Sequence, residues 1–70
     1  MQKGTRVKVI DEQACIRMFA DVKKGDKGTC VDNGYTYDGE EACSIQFDNA
    51  TTFIVVLKAL KRLHVKKVEV

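Results

Sequence analysis

The chain has 70 residues, of which 44% are apolar and 31% charged, with a net charge of +2. A chain this short makes one domain with a small core, because it buries only about 60% of the surface its unfolded form exposes. The apolar content excludes a disordered segment, and the longest apolar run, Phe53–Leu57, excludes a membrane span.

The small net charge hides a segregation. Residues 1–31 carry seven Lys/Arg against four Asp/Glu, residues 32–48 carry five acids and no base, and residues 49–70 carry five bases against Glu69. Such a chain is electrically dipolar. No apolar run follows Lys3, Arg6 and Lys8, so no secretory signal is expected, and the chain reads as soluble and cytoplasmic with no membrane partner. Three cysteines are an odd count for a disulfide framework and fit reduced core residues.

In chain order, "GTRVKVI" alternates, with Val7 and Val9 on one face and Arg6 and Lys8 on the other, which predicts a first strand over 5–10. Residues 11–24 support two readings, a short helix or a long loop. Ala14, Cys15, Met18, Phe19 and Val22 fall at helical spacing after the capping residue Asp11, while Ile16 and Ala20 spoil the pattern. A second strand is expected over 27–33, with Gly28 marking a bulge or bend. "NGYTYDGEE" reads as a turn region with two hairpin signals, Asn33-Gly34 and Asp38-Gly39. A third strand over 41–48 places Cys43, Ile45 and Phe47 inward and Ala42, Ser44 and Gln46 outward. A fourth over 51–57 is apolar on both faces and is expected to be central or covered. Leu57, Leu60 and Leu63 then recur every third residue, as in a 3₁₀ turn near residues 57–61, before a fifth strand around Leu63 and Val65. Read alone, "LKALKRLHVKK" is also a basic amphipathic peptide, but its β-branched start and later alternation favour strand.

Five short strands separated by turn residues predict a mainly β fold that closes into a small barrel. The order of features resembles SH3-like barrels. "KGTRVKVI" followed by "GDKGTCV" is similar to the opening of KOW-type and photosystem-accessory barrels, through Gly4, Gly25, Gly28, Thr29 and Val31. "IQFDNATTFIVVLKALKRL" resembles a Tudor or KOW ending, through Phe47, Asp48, Val56, Leu60 and Leu63. The resemblance implies a five-stranded SH3-like barrel over residues 1–70. It departs from KOW units in the fifteen or so residues between the first strand and the glycine stretch. The absence of tryptophan excludes the proline-binding groove of signalling SH3 domains. Such barrels host unrelated functions, so the site must decide.

"KKGDKGTCVDNGY" packs glycines and lysines together but is not a Walker loop, because Gly25 and Gly28 stand three apart and no Gly-Lys-[Ser/Thr] occurs. The expectation is a turn at Gly25-Asp26 that leaves Lys23, Lys24 and Lys27 as loop cations. Cys15, Cys30, Cys43 and His64 form a chemically valid zinc set with the wrong spacing, so no metal or other cofactor is expected. No residue recognisably lowers a thiol pKa or orients His64, so no catalytic residue and no enzyme activity are expected. The acids of "YDGEE" lack calcium-loop spacing.

What remains is a basic rim. Lys58, Lys61, Arg62, Lys66 and Lys67 lie near the chain end, and Arg6 and Lys8 join them if the terminal strands are neighbours. With Lys23, Lys24 and Lys27 they are the candidate contacts to the backbone of RNA or DNA, and Tyr35 and Tyr37 are candidate stacking residues. The alternative is a protein-binding adapter, in the manner of a phage or mobile-element accessory protein that docks on a host factor. Its contact loop is 33–41, with Tyr35, Tyr37, Asp38, Glu40 and Glu41. Self-association through the fourth strand or the tail is a third expectation.

Overall fold

The computed structural model describes residues 1–18, 20–49 and 51–63. The protein is mainly β: β1 (Arg6–Val9), β2 (Lys27–Tyr37), β3 (Glu40–Phe47), β4 (Thr52–Val56) and β5 (Leu60–Arg62) form one antiparallel sheet. The strand order is β4-β3-β2-β1-β5. A 3₁₀ turn at Leu57–Ala59 joins β4 to β5, as the leucine spacing predicts. Three residues of 3₁₀ turn span only about 6 Å. The sheet must therefore curl until its two ends adjoin. It does not close into the expected barrel, because no ladder joins β4 to β5 among the described residues. The turn makes the two strands meet at a corner and not side by side.

Segment 11–24 is a short helix followed by a loop. Helix α1 (Glu12–Arg17) starts where the Asp11 side chain accepts a hydrogen bond from the Ala14 N–H at 3.3 Å. It ends where the Ala20 N–H donates back to the Cys15 carbonyl at 2.9 Å, a six-to-one closure of the Schellman kind. Ala14 and Cys15 face the core while Ile16 is exposed, so the apolar stripe supports only this short helix. Gly25, at φ +98, makes the turn before β2. That turn docks on β1: Gly25 N–H donates to the Val9 carbonyl and Val9 N–H to the Asp26 carbonyl, both at 2.9 Å.

The core is built from Val7, Val9, Ile45, Phe47 and Val55, with all three cysteines reduced and buried among them. Phe47 meets Phe53 in a tilted pair with ring centres 6.3 Å apart. Several local expectations are corrected. Asn33-Gly34 is not a hairpin turn; it lies inside the eleven-residue β2, where the register with β3 shifts between Asp32 and Tyr35. The turn is Asp38-Gly39 alone, with φ +50 and +77, as a two-residue type I′ hairpin requires. Ala42 and Ser44, expected outward, are buried, because both faces of β3 are covered there. Strand β4 is an end strand and not a central one, with Ile54 exposed. Gly28 pairs regularly with Phe47 and marks a close approach between strands, with the register shifts lying further along β2. The fifth strand, expected around Leu63 and Val65, is Leu60–Arg62; Val65 lies outside the described residues.

Candidate nucleic-acid interface

Register decides which cations meet. Lys8 stands opposite Lys27 of β2 on one side and opposite Lys61 of β5 on the other. Directly opposed residues put their side chains on one face. Three lysines thus form a row across β2, β1 and β5, about 10 Å wide at the usual strand spacing. Lys27 and Lys61 are exposed and Lys8 is half-buried. Like charges directly opposite one another destabilise a sheet. The ion pairs among the described residues are Lys3–Asp32, Arg6–Asp48 and Lys58–Glu40, and none includes a lysine of the row.

One step along the strands runs a second row on the same face: Arg6 opposite Thr29, Thr29 opposite Gln46, and Gln46 opposite Thr52. Arg6 is held in place. Its guanidinium donates to both Asp48 carboxylate oxygens, at 2.7 and 2.6 Å, and to the Thr29 hydroxyl at 2.9 Å. The Arg6 hydrogen bond holds the Asp48 carboxyl below its ordinary range; desolvation opposes it, and the Arg6 and Lys27 charges help. The same bond raises the Arg6 pKa. A carboxylate depressed on folding contributes stability above its unfolded pKa, about 4, and loses it as pH falls through the lower folded value. Asp48→Asn should therefore lower stability at neutral pH, leave it nearly unchanged at the acid end where the carboxylate is already protonated, and so flatten the acid limb between, as followed by thermal melts across pH.

The remaining candidates divide. Lys23 and Lys24 sit in the turn that bonds to Val9, the residue after Lys8, and leads into Lys27, so they flank the row. Their own N–H groups donate to Asp26 and Glu12 carboxylates. Arg62 stands opposite Val7, off the row, and opens onto Met1, Gln2 and Thr5. Lys58, expected in the same rim as Lys61, turns the other way and pairs with Glu40 at 2.8 Å, in a groove shared with Arg17, Tyr37 and Asp38. Lys58 lies in the 3₁₀ turn and Lys61 in the strand that follows it. Lys66 and Lys67 lie outside the described residues.

The tyrosines and acids lie at the far end of β2. Lys27 opens that strand and Tyr37 closes it, with Tyr37 opposite Glu40 and Thr36 opposite Glu41. Tyr35 donates its hydroxyl proton to the Asp32 carboxylate at 3.0 Å, which raises its pKa, and Tyr37 donates to the Arg17 carbonyl at 3.1 Å. Neither ring adjoins the lysine row. The acidic hairpin tip and the basic row thus occupy opposite ends of one strand. Sequence reasoning missed Asp48, Thr29, Gln46 and Thr52 as members of the basic face. Their outward parity was visible, but their neighbours depend on register.

Among the described residues no group of three or more His, Cys, Asp or Glu side chains converges as a metal site. His64 lies outside the described residues. The Cys43 thiol is pushed up to about 12, first by burial and then by the neighbouring Cys30. Burial, followed by nearby carboxylates, raises the Cys15 thiol too. The native protein should resist alkylation by iodoacetamide at pH 8 and take up three labels once unfolded in urea, read by intact mass.

No protein-family model matches the chain, and neither a curated protein nor a solved structure matches it.

Proposed function

We propose that the protein is a non-enzymatic, cytoplasmic binding module that contacts the phosphate backbone of nucleic acid through the outer face of β2, β1 and β5. The observation that carries this reading is the lysine row, Lys27–Lys8–Lys61. A fold of 70 residues has little stability to spare, yet its register sets three lysines directly opposite one another, none of them in an ion pair among the described residues. A polyanion relieves that repulsion. Asp48, an acid on this face, is paired with Arg6, which offsets its charge toward an approaching phosphate. Asp38, Glu40 and Glu41 sit at the distant hairpin end. The resemblance of the sequence to SH3-like barrels is compatible with backbone binding without requiring it.

Fluorescence anisotropy with labelled DNA and RNA tests this. Binding at low salt that falls steeply toward physiological salt is the expected result. No binding at low salt removes the proposal.

A second reading has its own observation. Tyr37 and Ile54 are each 42% exposed and border a hollow with Met18, Tyr35 and Phe53. This surface suits a protein partner. A pull-down whose capture survives high salt and is lost on Ile54→Lys supports an adapter; capture that salt removes does not.

A further inference from the structure

We infer that Cys30, Cys43 and Met1 form a three-sulfur site for a soft monovalent cation, Cu(I). The site is separate from the lysine row and does not depend on it. The three residues are far apart in sequence, and sheet register brings them together. Cys30 stands opposite Ile45, and Cys43 lies two residues along β3 from Ile45, so both side chains enter the same buried face. Their thiols are neighbours. Met1 reaches the pair from the half-buried side, with its Sδ 3.9 Å from Cys43 Sγ. Metal–sulfur bonds of about 2.3 Å place two ligand sulfurs about 3.8–4.0 Å apart at tetrahedral to trigonal angles. The thiol and thioether are therefore already at ligand spacing.

The surroundings hold Met1 in place. The Asn33 side-chain amide donates to the Met1 carbonyl at 2.8 Å. Asn33-Gly34 has the composition of a turn but sits inside β2, where the register shifts between Cys30 and Asp32 and again between Asp32 and Tyr35. Bulges re-aim side chains beside sites, and here the irregular stretch carries the Asn33 amide to Met1. A hollow of about 270 Å³, bordered by Met1, Asn33, Gly34 and Cys43, gives an ion its way in.

The ligand set selects the ion. Thiolate and thioether together suit Cu(I), whereas structural Zn(II) takes four thiolate, imidazole or carboxylate ligands. Glu41 borders the hollow, but among the described residues no third His, Cys, Asp or Glu converges with the two cysteines. Burial, and then Cys30, holds the Cys43 thiol at about 12, so the empty pair is protonated. The Cys30 proton is shared with the Asp32 carbonyl at 3.4 Å. A bound cation displaces both protons. Two Cu–S bonds replace two S–H bonds, the thioether adds a lone pair, and no electron changes hands.

The experiment titrates the full, reduced chain, without oxygen, into the coloured Cu(I) complex of bicinchoninate. Loss of colour should show one Cu(I) taken per chain. Log affinity should rise by about two per pH unit, because two protons leave. Cys30→Ser and Cys43→Ser should each abolish transfer, while Cys15→Ser, on α1, should stay within twofold of the original. Asn33→Ala should weaken binding by about 10–100-fold, as loss of a group that orients a ligand does. A second measurement uses the unsubstituted chain and so does not depend on how the variants fold. Ag(I) added to chain labelled at its methionine methyl groups should shift the Met1 signal and leave that of Met18 in place. Failure to take Cu(I) from bicinchoninate overturns the site. So does an equal loss in Cys15→Ser, or Met1 and Met18 methyls that both move or both stay. Zn(II) that displaces Ag(I) at equal concentration overturns the choice of ion.

Discussion

Lys8→Ala should weaken nucleic-acid binding by roughly tenfold and leave the protein as stable as before, or more so. The two halves come from one geometry. Lys8 is the middle of the row, opposed by Lys27 and Lys61 at once. A hydrogen bond to a charged partner is worth about 1.5–3 kcal/mol, and 1.4 kcal/mol is a factor of ten in affinity. Losing one phosphate contact should also reduce the salt slope by about one and act equally on all sequences. On the folding side the substitution removes two like-charge oppositions, each costing a few tenths of a kcal/mol to about 1 kcal/mol by the general scale of cross-strand pairs. Lys8→Glu inverts the sign at the centre and should abolish binding while pairing favourably with both neighbours, so its melting temperature should rise. Lys58→Ala is the matched control, since Lys58 bonds to Glu40 away from the row. Its affinity should stay within twofold of the original. If Lys8→Ala and Lys58→Ala weaken binding equally, the effect is overall charge and the row has no special part. A Lys8→Ala variant that melts well below the original would show a structural role for the side chain instead.

The largest loss of stability should come from Gly28→Ala. A Cβ at this position would stand 2.6 Å from Ile45 Cγ2, 2.8 Å from the Gln46 carbonyl oxygen and 3.1 Å from Phe47 Cα. Two of those three atoms are backbone of β3, so the clash cannot be relieved by rotating a side chain. Strands β2 and β3 must part where Gly28 opposes Phe47, the largest fully buried side chain. Overpacking of this kind costs about 1–3 kcal/mol. In a domain of this size each kcal/mol moves the melting temperature by about 4–8 °C. Ile45→Leu in the same background removes the γ-methyl but leaves the carbonyl, so it should recover only part of the loss. Full recovery would place the clash on the side chain alone. By contrast, Gly28 has no left-handed conformation to defend, so the whole effect is steric. A melting temperature within 2 °C of the original would contradict the close approach.

How much of this could be read beforehand depends on the distance over which each feature is determined. The alternation in Arg6–Val9, the capping by Asp11, the turn at Gly25, the hairpin at Asp38-Gly39 and the 3₁₀ turn after Val56 are local, and each is present. Side-chain parity and turn chemistry act within a few residues, so sequence alone determines a mainly β chain, its strands to within a few positions and its buried cysteines. The rest belongs to the tertiary structure. Asn33-Gly34 has the composition of a turn but is absorbed into β2, because pairing with β3 continues past it through a register shift. Ala42 and Ser44 have outward parity on β3 yet are buried, because the surroundings cover that second face. Lys58 and Lys61 are three residues apart and go to opposite neighbours, Glu40 and Lys8. Which lysine stands beside which is a matter of strand order and register. These are fixed by how the buried faces of distant segments fit together, and a shift of one residue would turn Lys8 inward and Val9 out.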